Sequence, residues 1–181
     1  MERVKRKLVL ENGDVYVGTG FGASADAIGE IVFNTSMAGY QEIISDPSYT
    51  DQIIVMSYPI IGNYGITDED YESKNLLLKA MVVRDYNDAP SNFRYTKTLS
   101  ELLEENGVPG IQGIDTRKLV RTIRDKGSMT ACLVDADVPD EEVMKRIAQY
   151  VYPTDQVQRA GCKKRSVSYT HLRAHETSLH L

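Results

Sequence analysis

The chain has 181 residues, of which 41% are apolar and 26% charged, with 21 Lys and Arg against 26 Asp and Glu for a net charge of −5. Such proportions belong to an ordinary globular protein of one domain, or of one domain and the start of another. An acidic chain without a basic stripe argues against nucleic acid as a partner; no apolar run is long enough to span a bilayer, and the charged N-terminus lacks a signal-peptide core, so a cytoplasmic location is expected.

In chain order, residues 7–10 and 15–18 read as strands joined at Asn12-Gly13, a pair that suits a tight hairpin turn with positive φ at both central residues. Residues 29–34 read as a third strand, and residues 40–45 as a short helix closed by Asp46-Pro47. A strand over 52–58 ends at Pro59, a loop with Gly62 and Gly65 follows, and residues 76–83 form the most apolar strand, expected to be central. Thr98 or Ser100 caps a helix through Glu105, with Gly107 beyond its end. Asp115 caps another that runs to Lys126 with Gly127 closing it, and Arg124 and Lys126 lie where the helix dipole favours cations. Residues 129–134 return as a strand, Asp137, Pro139 and Glu141 open a further helix with Val143 and Ile147 inward, and past Pro153 the pattern dissolves into a linker.

From Val167 onward the chain reads as translated sequencing adapter. After its first two bases, the transposase adapter used in common sequencing libraries spells Val167 through Thr177 without a mismatch. Residues 167–181 are therefore set aside as a non-native tail. His171 and His175, four apart beside Glu176, have the spacing of a zinc site but fall in that tail, as does His180. The remaining sequence holds no histidine, hence neither the usual base for a Cys or Ser nucleophile nor the commonest zinc ligand.

Other candidate chemistry is thin. Gly18-Thr19-Gly20-Phe21-Gly22-Ala23 fits the dinucleotide-binding pattern, but that loop needs a helix directly after it, and a strand resumes by Glu30. Cys132 lies in mid-strand and reads as a buried structural thiol; Cys162 sits beside Lys163 and Lys164 with no base in reach, and two cysteines make no disulfide framework. Asp68, Glu69, Asp70 and Glu72 lack the ligand spacing of a calcium loop. Arg117, Lys118, Arg121 and Arg124 make a basic helix face, either solvated or suited to an anion or an acidic partner.

Several long stretches, in order, resemble the N-terminal domain of the carbamoyl-phosphate synthase small subunit. They are Gly29-Glu30-Ile31-Val32-Phe33-Asn34-Thr35-Ser36-Met37-Ala38-Gly39-Tyr40-Gln41-Glu42, Asp46-Pro47-Ser48-Tyr49 and Tyr58-Pro59-Ile60-Ile61-Gly62-Asn63-Tyr64-Gly65. Later come Pro90-Ser91-Asn92-Phe93-Arg94, Gly113-Ile114-Asp115-Thr116-Arg117 and Lys126-Gly127. The resemblance implies a mixed, β-rich α/β domain of the swivelling β/β/α type over residues 1–152, with 153–166 opening a linker to a glutaminase domain that lies beyond this sequence. It implies no catalytic residue and no metal here, because the family's Cys-His-Glu triad belongs to that missing domain. No cofactor is implied for this chain; ATP and Mg are used by the large subunit, the implied partner. The complex would make carbamoyl phosphate from glutamine, bicarbonate and ATP for arginine and pyrimidine synthesis, while this chain alone would be inactive. One substrate contact carries over: Ser48 is implied to bind glutamine, although its residue type alone would favour a turn cap. The alternative is a stand-alone, non-catalytic interaction domain. The uncharged stretches over 33–40 and 59–64 suit a partner surface or loop packing.

Overall fold

The structure, a computed structural model, describes residues 4–67, 71–73 and 76–161. The histidine tail, Cys162 and Asp68 to Asp70 lie outside the described residues. The chain forms the expected mixed, strand-rich α/β domain. Seven of its strands close into a barrel, which the sequence pattern had not announced.

Strands β1 (Lys5–Leu10) and β2 (Val15–Gly22) make the predicted hairpin, with Leu8 opposite Tyr16. Its turn differs from expectation. Only Gly13 has positive φ, at 87°, and Asn12 does not. Gly13 N–H donates to the Leu10 carbonyl at 2.9 Å and Asp14 N–H to Asn12 Oδ1 at 3.1 Å, so the four residues that join the strands turn on one left-handed glycine.

Strand β3 (Ala27–Asn34) runs parallel to β4 (Gln52–Met56), and helix α1 (Tyr40–Ser45) with a 3-10 turn at Pro47–Tyr49 crosses between them. After β5 (Ile60–Ile61) come β6 (Ala80–Val82) and β7 (Asp85–Tyr86); β5 and β7 pair as a separate two-stranded sheet. The strand expected over 76–83 is shorter and not central, since every strand of a closed barrel has two neighbours. Residues 77–79 leave it to meet the start of β4, where Asp51 N–H donates to the Leu77 carbonyl and Lys79 N–H to the Gln52 carbonyl.

Helix α2 (Leu99–Glu105) starts on a capping box in which Thr98 and Glu101 satisfy each other's backbone N–H. Strand β8 (Pro109–Gln112) leads to α3 (Thr116–Lys126), capped by Asp115 through Lys118 N–H at 3.0 Å. Strand β9 (Met129–Asp135) closes the barrel, followed by α4 (Asp140–Ala148) and a short α5 (Gln156–Ala160) where the sequence suggested only linker. The strand order is β1-β2-β8-β6-β4-β3-β9, with β9 antiparallel to both β1 and β3.

Because side chains alternate across a strand, one closed sheet makes an inner core and outer ones. Leu8, Leu10, Ile31, Ile53, Val55 and Leu133 share the inner cluster, to which α3 adds Leu119 and Ile123. Facing outward, Val9, Cys132 and Val134 pack beneath Val143 and Ile147 of α4. Ile54, Met56 and Met81 face outward on the other flank, under α1 and α2. A helix as short as α4 does not persist alone; burying each of its two apolar anchors contributes about 1.5–3 kcal/mol.

The Gly18–Gly22 stretch that matched a nucleotide loop lies inside β2, and the next element is β3, with no helix between. Its glycines serve packing. A Cβ on Gly18 would sit 2.2 Å from the Gln112 carbonyl oxygen of β8. Gly18→Ala is therefore expected to lower stability by about 1–3 kcal/mol, through overpacking of backbone against backbone. Urea unfolding of the variant checks this, and an unchanged midpoint would refute the packing role.

Candidate functional site

The segments that follow the two parallel strands, residues 35–40 after β3 and 57–65 after β4, meet past their C-terminal ends, whereas the Ser48 turn leads into the start of β4. Helix α1 has no side-chain cap of its own, since Gly39, with φ 78°, stands at its N-cap. The Tyr64 hydroxyl takes that role from outside, accepting from Gly39 N–H at 2.8 Å and Tyr40 N–H at 2.9 Å. The Tyr40 and Tyr64 rings stack at 4.1 Å, and the Tyr40 hydroxyl donates to the Gly65 carbonyl at 2.8 Å. Burial, with Tyr64 nearby, pushes the Tyr40 phenol well above its usual range, so it remains a donor. Gln41 completes the stitching: its amide donates to the Thr67 carbonyl at 2.6 Å and accepts from Thr67 N–H at 2.9 Å.

The two uncharged stretches divide in role. Residues 35–38 are exposed, with Met37 77% accessible, whereas Ile61 and Gly62 are buried and Tyr64 is consumed by capping α1. The first stretch presents surface at 35–38, and the second presents Pro59 and Ile60 while its later residues pack loops.

Ser48 sits exposed on the 3-10 turn. Asp46, not Ser48, is the cap: its Oδ1 accepts from Ser48 N–H at 2.8 Å. The Thr50 hydroxyl donates to the Pro47 carbonyl at 2.6 Å, and the Tyr49 hydroxyl accepts from Asn34 Nδ2 at 3.0 Å. The backbone N–H groups of the turn are bonded within it, and the Ser48 hydroxyl has no partner among the described residues.

Immediately after this turn lies a group that sequence reasoning missed. Asp51 is 3% exposed and is the one described non-glycine residue in the left-handed region, at φ 63°. Lys79 Nζ approaches its carboxylate at 3.1 Å, and Arg159 of α5 grips both oxygens, Nη1 at 3.1 Å. Burial opposes ionisation of Asp51, yet the hydrogen bonds and charges of Arg159 and Lys79 outweigh it and hold the carboxyl below the usual range.

The basic face of α3 forms as predicted, with Arg117, Lys118, Arg121 and Arg124 exposed. Two clefts of about 340 Å³ flank it. One also carries Asp14, Asp115 and Asp125; the other is closed by Arg84, Ser57 and Pro59. A larger cleft of about 620 Å³ lies over the stacked rings of Phe21 and Tyr86, 4.6 Å apart, with Arg6, Ser100 and Glu104 at its walls. No group of three His, Cys, Asp or Glu able to hold a metal occurs among the described residues.

Cys132 is 2% exposed in β9, and burial, with Asp26 nearby, pushes its thiol up to about 11. In a Cys162→Ser background it should resist a thiol reagent at pH 8 in the folded state and react fully in denaturant. Rapid labelling of the folded protein would show that the thiol is reachable after all.

A family model described as carbamoyl-phosphate synthase small chain, CPSase domain, matches residues 8–133. The carbamoyl phosphate synthase small chain of Fusobacterium nucleatum is 51% identical over 158 residues, which cover 87% of this chain and 44% of that one. That of Chlorobaculum tepidum is 56% identical over 133 residues, 74% of this chain and 36% of the other. The pyrimidine-specific small chain of Bacillus subtilis is 46% identical over 160 residues, 88% of this chain and 44% of the other. The chain thus spans less than half the length of these curated relatives.

Proposed function

The chain belongs to the carbamoyl-phosphate synthase small-chain family and corresponds to its N-terminal region, and from that membership we propose that it docks to a large subunit and supplies Ser48 to a glutamine site. In this reading a separate glutaminase domain releases ammonia from glutamine, and the large subunit uses ATP, Mg and bicarbonate to build carbamoyl phosphate. Residues 1–152 are the docking domain, 153–166 lead toward the glutaminase domain, and the chain itself carries no catalytic group. The complex works in the cytoplasm.

The observation that carries the glutamine role is the exposed Ser48 hydroxyl, without a partner among the described residues, on a turn held by its own hydrogen bonds. A hydroxyl both donates and accepts, and glutamine offers amide, carboxylate and ammonium groups to match it. Since Asp46 already caps the turn, a capping role for Ser48 loses its support.

In a full-length small chain paired with its large subunit, Ser48→Ala is expected to raise the KM for glutamine about 2- to 10-fold, the worth of one hydrogen bond, while ammonia-dependent synthesis continues unchanged. Steady-state assays with each nitrogen donor check this, and an unaltered glutamine KM would sink the assignment. For docking, the exposed Met37 on residues 35–38 is the natural anchor. Met37→Glu should weaken binding of the chain to a purified large subunit by at least about 10-fold, because it buries a charge at an apolar contact. Calorimetric titration showing equal affinity for both forms would move the interface elsewhere.

A further inference from the structure

The buried carboxylate of Asp51 joins two parts of the chain that are 108 residues apart in sequence. On one side is the Ser48 turn. Tyr49 N–H donates to the Asp46 carbonyl, Thr50 N–H to the Pro47 carbonyl and Asp51 N–H to the Leu77 carbonyl, so the turn runs without a break into Asp51. On the other side is α5, whose Arg159 forks onto both carboxylate oxygens and whose Gln156 amide reaches the Thr50 carbonyl at 3.5 Å. Arg159 is itself oriented by Asp155, one helical turn away, at 3.1 Å.

The surroundings are built for this contact. A Cβ on Gly29 would lie 2.4 Å from the Asp51 carbonyl oxygen, so β3 carries a glycine where the Asp51 backbone passes. A side chain at φ 63° is strained, and a glycine would adopt that backbone without strain, but a glycine has no anion to offer. Lys79 supplies a second cation from the segment that leads into β6.

We infer that Asp51, Arg159 and Lys79 form a clamp that fastens the segment after α4 onto the Ser48 turn, which makes Arg159 a positioning residue for that turn. Its consequence for glutamine rests on the Ser48 assignment above; its consequence for the turn does not. Only Arg159 brings a planar fork to the carboxylate, so a lysine there restores charge without the two-point grip.

Amide hydrogen exchange on the 181-residue chain tests the clamp. Asp51→Asn risks loss of folding, whereas Arg159 is 37% exposed on a five-residue helix and its removal leaves the barrel strands in place. In Arg159→Ala the amides of Tyr49, Thr50 and Asp51 should exchange about 10-fold faster or more, with those of β1 and β9 unchanged and Arg159→Lys intermediate. Unchanged exchange at the turn overturns the inference, and so does equal acceleration throughout the barrel. Glutamine KM values for Ser48→Ala and Arg159→Ala in a full-length small chain separate the two ideas. A free turn with no effect of Ser48→Ala removes the glutamine reading and keeps the clamp. An effect of Ser48→Ala with an undisturbed turn does the reverse.

Discussion

Pairing of β9 with both β1 and β3 is the constraint on which the other parts of this domain depend. Leu133 lies opposite Leu8 on one side and Ala27 on the other, and Ala131 opposite Leu10 and Gly29. Without β9 the sheet would have two free edges, each a row of unpaired amides and carbonyls. With it, the inner face is enclosed, and α4 covers the outer face of β9, so six of the seven β9 residues are buried. Closure also brings the early hairpin against the last third of the chain. Arg6 reaches Asp26 at 3.0 Å, while Arg146 of α4 takes the other oxygen of the same carboxylate at 2.9 Å.

The candidate site inherits its order from that frame. Parallel β3 and β4 need a crossover, and the 17 residues between Asn34 and Gln52 carry α1 and the 3-10 turn from the end of β3 back to the start of β4. Such loops are usually mobile, but here the Tyr64 hydroxyl, the Gln41 amide and the Asp46 carboxylate each satisfy backbone groups. Apolar packing alone could not aim a turn this short. Directed hydrogen bonds do so, and they leave the Ser48 hydroxyl without a partner among the described residues.

Local elements were legible because their signals are local. Asp115 before α3 and Gly127 after it act within one helical turn and formed where the sequence placed them, and of Thr98 and Ser100 it is Thr98 that caps α2. The Asn12-Gly13 pair gave the hairpin but not its turn type, because the Asn12 side chain bonded to Asp14 N–H and kept Asn12 out of the left-handed region. Barrel closure was hidden for another reason. The apolar run Leu8-Val9-Leu10 in β1 announces buried faces but cannot name a partner strand more than a hundred residues away. Ser48 became a candidate only through the resemblance of whole motifs, since its residue type alone favours a turn cap.

Asp51 shows why the remainder was illegible. Its neighbours in sequence, Thr50 and Gln52, suggest nothing more than the approach to a strand. What makes the position distinctive is the environment: a left-handed backbone, near-complete burial, and two cations delivered from residues 79 and 159. The partners are not equivalent. Both cations are partly exposed and would turn to water if the anion were removed, whereas the anion has no water to turn to if the cations are lost. The dependence therefore runs one way, from the Ser48 turn and the start of β4 toward the segment that carries Arg159. A barrel closed by β9 can hold its core without that segment, but the buried carboxylate beside the candidate site would then keep Lys79 alone of its two cations.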